Sequence, residues 1–230
     1  LANFLLFMQR GDGEFSHVYR TDRKWKDPKT KLLYYSGEAA LALAMAFKML
    51  DDQRYLKGAE KALDYLVGEN YWPLTLKFLF GEDHWTCMAA EEAWPHLKHR
   101  RYATFCYEFA TFNRRHQFMP GEGAEDFEGG YGITPFFPPH LTPAGSRTEA
   151  MVSTYRLSQH RKETRGVIGA QIVRAFRYIV RHQVRLENAY LYAKPHETVG
   201  AIRQSPIKYE VRIDYIQHTI AAMLRALDLV

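Results

Sequence analysis

Two helical patterns with almost nothing between them constrain this chain most. Residues 36–50, SGEAALALAMAFKML, run into Asp51-Asp52 and then into RYLKGAEKALDYLVGEN at 54–70. In the second stretch Tyr55, Ala59, Ala62, Leu63 and Leu66 recur at 3.6-residue spacing, which predicts an amphipathic helix. Ser36 reads as the N-cap of the first helix, with Glu38 in its first turn. So short a connection makes the two helices antiparallel neighbours. The building unit is a helical hairpin.

The pattern recurs. DHWTCMAAEEAWPHL at 83–97 pairs with 100–118, and SRTEAMVSTYRLSQH at 146–160 pairs with 163–184. DYIQHTIAAMLRALDLV at 214–230 opens a further helix, while residues 1–9 read as the end of one, turned by GDGEF. A Gly/Pro/acidic loop fills 120–145, and 189–213 suits a short β-hairpin. The helices opening at 36, 83, 146 and 214 are rich in small residues and apolar nearly all round, so they should be buried on most sides. Their partners are amphipathic and charged. Such alternation predicts an inner and an outer layer: an all-α fold, an α/α toroid, in a single domain over 1–230. The start, LANFLLFMQ, has no initiator Met and reads as mid-helix, so the toroid is expected to be incomplete at the N-terminus, the chain being the C-terminal part of a longer one.

Apolar residues make up 47% of the chain, enough for a core, yet no run reaches the roughly 18–20 needed to span a bilayer. No signal peptide is read at the start. Cys87 and Cys106 fall in helical patterns and read as buried thiols, which favours a soluble, cytoplasmic protein over a disulfide-stabilised one. A net charge of +5 suits an anionic partner, but the basic residues are scattered at helical spacing, as in HLKHRRYATF, and read as solvated faces. With no nucleic-acid motif, no nucleic acid is expected as partner.

In a ring of parallel inner helices the N-termini open on one face and gather the side chains of the first turns. These are Tyr34, Tyr35 and Glu38; Asp83, His84 and Trp85; Arg147 and Glu149; and Asp214, Tyr215, Gln217 and His218. Loops carrying Glu122, Glu125, Asp126, Glu128, Tyr131 and Arg203 would roof them. Carboxylates, imidazoles and aromatics converging on a hollow suit a sugar: aromatic faces stack on pyranose rings, and carboxylates and His move protons. Acidic residues and Ser also cap any helix, which accounts for Ser36, Ser146 and Asp214 taken singly. Two carboxylates across a pocket would serve glycoside hydrolysis; His84 and His218 would serve as the acid–base pair of a sugar epimerase. A metal on Asp83, His84 and His218 lacks any local H-x-x-x-H pair, so no metal and no cofactor is expected.

YYSGEAALALAMAFKMLDDQRYLKGAEKALDYL resembles the hairpins of the six-hairpin glycosidase-like superfamily, and VRIDYIQHTIAAMLRAL is similar to closing helices of such proteins. That grouping includes glycoside hydrolases, N-acylglucosamine 2-epimerases and glucuronyl 5-epimerases. The resemblance covers roughly 32–230 and implies a cleft lined by the inner-helix starts. It also implies that a partner chain or an N-terminal region completes the ring, because the pattern holds fewer helices than a complete toroid. Separately, ANFLLFMQRGDGEF resembles the Q-x-x-D-G-x-[FW] turn of terpene cyclases and protein prenyltransferases, in which Gln9, Asp12, Gly13 and Phe15 would be stabilising; one copy is visible and no acidic catalytic motif accompanies it.

The resulting expectation is a carbohydrate-active enzyme, hydrolase or epimerase, with Glu38, Asp83, His84, Glu149, Asp214 and His218 in acid–base roles. Tyr34, Tyr35, Trp85, Arg147, Arg203, Tyr215 and Gln217 would hold a carbohydrate substrate, anionic in keeping with the basic charge. The rival is a non-catalytic glycan- or protein-binding scaffold, with isoprenoid processing third.

Overall fold

A computed structural model describes residues 1–68, 83–132 and 137–229. The last two residues of the helix expected over 54–70, part of the loop expected over 120–145, and Val230 lie outside the described residues. The described chain is mostly helical, and among the described residues no helix is long and apolar enough to cross a membrane. It divides into two compact units, Leu1–Phe109 and Ala110–Val230.

The first unit holds α1 (Ala2–Met8), an antiparallel ribbon of β1 (Val18–Arg20) and β2 (Trp25–Asp27), α2 (Tyr35–Leu50), α3 (Gln53–Val67), α4 (Trp85–Leu97) and most of α5 (Arg100–Arg114). The expected α2–α3 hairpin forms. Asp51 takes a left-handed φ of 52° that ends α2, and the Asp52 carboxylate accepts the Arg54 N–H at 2.9 Å to start α3. Leu43 of α2 and Leu63 and Leu66 of α3 are buried between them. The ribbon is held to α1 by Tyr19, which packs edge-on against Phe4 and Phe7.

The second unit continues with α6 (Leu141–Leu157), α7 (Lys162–Arg181), α8 (Pro195–Thr198), the hairpin of β3 (Arg203–Ser205) and β4 (Lys208–Val211), and α9 (Ile213–Ala226). Its core joins Tyr131, Leu141, Tyr178, Ile179, Ile202 and Tyr215.

Three expectations need correction. Ser36 does not cap α2: the helix starts one residue earlier, and the buried Ser36 hydroxyl instead donates to the Glu14 carboxylate. α6 begins at Leu141, five residues before Ser146, because Pro143 sits in the first turn, where its missing N–H costs nothing. Ser146, Arg147 and Glu149 are therefore beyond the first turn. Nor are all the apolar helices enclosed. α6 is buried along most of its length, but α2 exposes Met45 and Met49, and α9 exposes Ile213, Ile220 and Leu224.

One turn recurs three times. Gln9 at the end of α1 pairs with Phe15 in an isolated antiparallel bridge, and its side-chain amide donates to the Gly13 carbonyl at 3.1 Å and the Gly58 carbonyl of α3 at 2.8 Å. Gln117, after α5, pairs with Tyr131 and donates to the carbonyls of Gly129 and of Gln171 in α7, both at 3.0 Å. Gln183, after α7, pairs with Ile202 and donates to Gly200 at 3.0 Å. Gly13, Gly129 and Gly200 all lie at positive φ, between 89° and 96°. In the first two copies the glycine presses on the next amphipathic helix: a Cβ there would lie 2.1 Å from the Lys61 or the Arg174 carbonyl oxygen.

Each unit thus repeats one plan: a helix ending in Gln, a glycine turn, an apolar helix, and an amphipathic helix that returns to the turn. A second glycine completes the plan. Gly37 in α2 meets Asp83 and Trp85 at the start of α4, and Gly145 in α6 meets His218 and Thr219 of α9.

Candidate active site

The close approach at Gly145 builds the strongest polar centre. A Cβ on Gly145 would lie 2.9 Å from both His218 Cβ and the Thr219 nitrogen, so only glycine lets α6 and α9 come this near. One helical turn further along α6, Glu149 then meets His218, with Oε2 2.8 Å from Nδ1. Both side chains are buried. Burial pushes the Glu149 carboxyl above its ordinary range, opposed by the His218 hydrogen bond and the charges of His218 and Arg225. Arg225 reaches back to the Ser153 hydroxyl at 2.8 Å and ties the same two helices a turn further on.

A carboxylate on Nδ1 fixes the imidazole's orientation and tautomer, which directs chemistry to Nε2. Beside the pair, the Ser146 and Thr219 hydroxyls are buried and have no hydrogen-bond partner among the described residues. Buried hydroxyls left unpaired are unusual and mark a place where another polar group can be received. Arg147, also buried, donates to the Gly132 carbonyl at 3.3 Å with its guanidinium 5.5 Å from the Tyr131 ring centre.

In the second unit, Asp214 pairs with Arg212 at 3.1 Å, Tyr215 is absorbed into the core and Gln217 is exposed. Arg203 donates to His182 Nδ1 at 2.6 Å, and the opposite ring nitrogen meets the Asp126 carbonyl at 2.7 Å; burial holds His182 below its ordinary pKa. In the first unit, Asp83 and Trp85 close on Gly37, and the His84 ring stacks on Trp85 at 4.4 Å. Glu38, Tyr34 and Tyr35 are exposed.

A second centre, in the first unit, was not anticipated. The buried Glu14 carboxylate accepts from Lys31 Nζ at 2.7 Å, from the Phe15 amide at 2.9 Å and from the Ser36 hydroxyl. His17 Nε2 lies 2.9 Å from Ser36 Oγ and 3.5 Å from Glu14, and its Nδ1 accepts the Leu32 amide at 2.8 Å. That amide forces the ring proton onto Nε2, so the imidazole donates toward the serine oxygen. A nucleophilic serine needs the opposite polarity, with imidazole accepting its proton. This centre is a structural anchor. The Glu-x-x-His spacing of Glu14 and His17, directly after the Gly13 turn, was its signal in the sequence.

No family model matches this sequence, and no curated protein is similar to it.

Proposed function

We propose that the hairpins belong to an α/α-toroid enzyme of carbohydrate metabolism in which Glu149 and His218 form the acid–base pair. The reading rests on one observation: a buried carboxylate held 2.8 Å from an imidazole nitrogen, across two helices that Gly145 brings together. Glu149 orients His218, and His218 Nε2 exchanges a proton with the substrate. The Ser146 and Thr219 hydroxyls answer sugar hydroxyls, whose paired donors and acceptors suit unpaired buried OH groups. Burial raises the Glu149 carboxyl, which strengthens its hold on a proton beside the imidazole.

The test is turnover on a panel of neutral and uronic-acid oligosaccharides. His218→Ala is expected to lower kcat by about 10²- to 10⁴-fold, the usual span for a positioned general acid or base. Glu149→Gln keeps a hydrogen bond to the ring but loses the charge, so it should flatten the pH profile and reduce kcat less than His218→Ala does. Solvent deuterium entering a carbon position of the product identifies an epimerase, and new reducing ends identify a hydrolase. Unchanged turnover in both variants, with folding intact by circular dichroism, ends the proposal.

A further inference from the structure

The third copy of the glutamine turn lacks what the first two hold. Gly13 and Gly129 are each pressed against the backbone of the amphipathic helix that follows, whereas a Cβ on Gly200 would meet nothing within 4 Å among the described residues. The helix that precedes each turn shows the same contrast. Three residues before Gln9, Leu6 touches Gly58 of α3, its Cδ2 2.5 Å from where a Cβ would stand. Seven residues before Gln117, the Ala110 carbonyl accepts from Gln171 of α7 at 3.5 Å. These positions lie on one helix face, and that face receives the next amphipathic helix.

On α7 the same positions, counted from Gln183, are Val180 and Phe176. Val180 is 41% exposed and Val173, a further turn back, 50%. Together with Arg177, Arg181 and Arg185 they line an open groove of about 630 Å³. Arg181 and Arg185 donate to the carbonyls of Glu125 and Val180, and none of the three arginines makes a salt bridge to a carboxylate among the described residues. Phe176 also packs inward on the core, but a solvated outer face would not carry Val173 and Val180 in its middle.

We infer that the α7 groove and the Gly200 turn form one docking site for an acidic amphipathic helix. Its occupant stands as α3 stands on α1 and as α7 stands on α5. Backbone register comes from the Gln183–Gly200 turn: the Gln183 amide donates to a helix carbonyl, as Gln9 and Gln117 do, and the bare Cα of Gly200 leaves room for the helix backbone. Apolar contact comes from Phe176 and Val180, and sign selection from the arginines. α3 supplies the register in detail: the Tyr55 hydroxyl reaches Asn3, six residues before Gln9, at 3.0 Å. Arg177 holds that place before Gln183. An acidic residue at the position of Tyr55 would therefore face Arg177.

The probe is a helix-stabilised, fluorescein-labelled peptide of residues 53–67, read by anisotropy against the whole protein, beside a second peptide carrying Tyr55→Glu. Saturable binding is expected for both, about tenfold tighter at low salt for the Tyr55→Glu peptide, which sets a carboxylate against Arg177, as one well-placed charge pair gives. Val180→Asp in the protein abolishes both, and Arg177→Glu reverses the preference between the peptides. Each protein variant changes an exposed side chain and is checked for native circular dichroism. Absence of saturable binding, or binding indifferent to Val180→Asp, overturns the assignment. So does a face that binds anionic vesicles and neither peptide, or one whose only Val180-dependent property is self-association.

Discussion

Gly13→Ala and Gly129→Ala are each expected to lower stability by about 2–5 kcal/mol, while Gly200→Ala costs about 1–2 kcal/mol. All three glycines sit near φ +90°, where a Cβ costs about 1–2 kcal/mol. At Gly13 and Gly129 the added carbon would also stand 2.1 Å from a helix carbonyl oxygen, an overlap with backbone that cannot rotate away. Forced overpacking adds about 1–3 kcal/mol. At Gly200 only the dihedral cost applies. Urea unfolding midpoints of the three variants provide the measurement. Equal losses at all three would show that the turn's conformation matters and the helix seated on it does not.

Glu14→Ala is expected to cost about 3–5 kcal/mol, the range for removing one partner from a buried charged network. Lys31, Ser36 and the Phe15 amide would lose their common acceptor. The pH dependence has a definite sign. Burial raises the Glu14 carboxyl, but the hydrogen bonds from His17, Lys31, Ser36 and Phe15 outweigh it and hold the carboxyl far below its ordinary value of 4.5. A carboxyl depressed in the folded state stabilises fully above its unfolded pKa, and that contribution fades as pH falls below it. The stability gap between the native protein and Glu14→Gln should thus be widest at neutral pH and narrow steadily below pH 4.5. Glu149 has the opposite sign. Its carboxyl is raised, so its contribution is largest below the ordinary carboxylate range and diminishes as pH rises through the folded value. Acid unfolding of Glu149→Gln should therefore show no such narrowing. A gap at Glu14 that does not change with pH would mean the carboxylate is not held as an anion.

The hairpins were legible because a 3.6-residue period needs only neighbours along the chain. Asp51-Asp52 marked its boundary through local capping, and 189–213 suited the hairpin that β3 and β4 form. The start of α6 was misread at Pro143, since a proline that breaks a helix interior is acceptable in a first turn. The glutamine turn was recognisable only at QRGDGEF. In the other two copies the chain between Gln and Gly runs over 118–128 and 184–199, so no fixed period survives although the bridge and the Gln-to-Gly hydrogen bond are shared.

The candidate site divides along the same line. Residue type and helical phase on their own put Glu149 and His218 near helix starts, along with Asp214, Gln217 and Glu38. Folding separated them: Gln217 and Glu38 went to solvent, Asp214 went to Arg212, and Glu149 met a partner 69 residues away. Helix phase is written locally, by side chains a turn apart. Which two faces touch depends on where a missing Cβ lets backbones approach, and Gly145 exerts that effect only once α6 and α9 are packed.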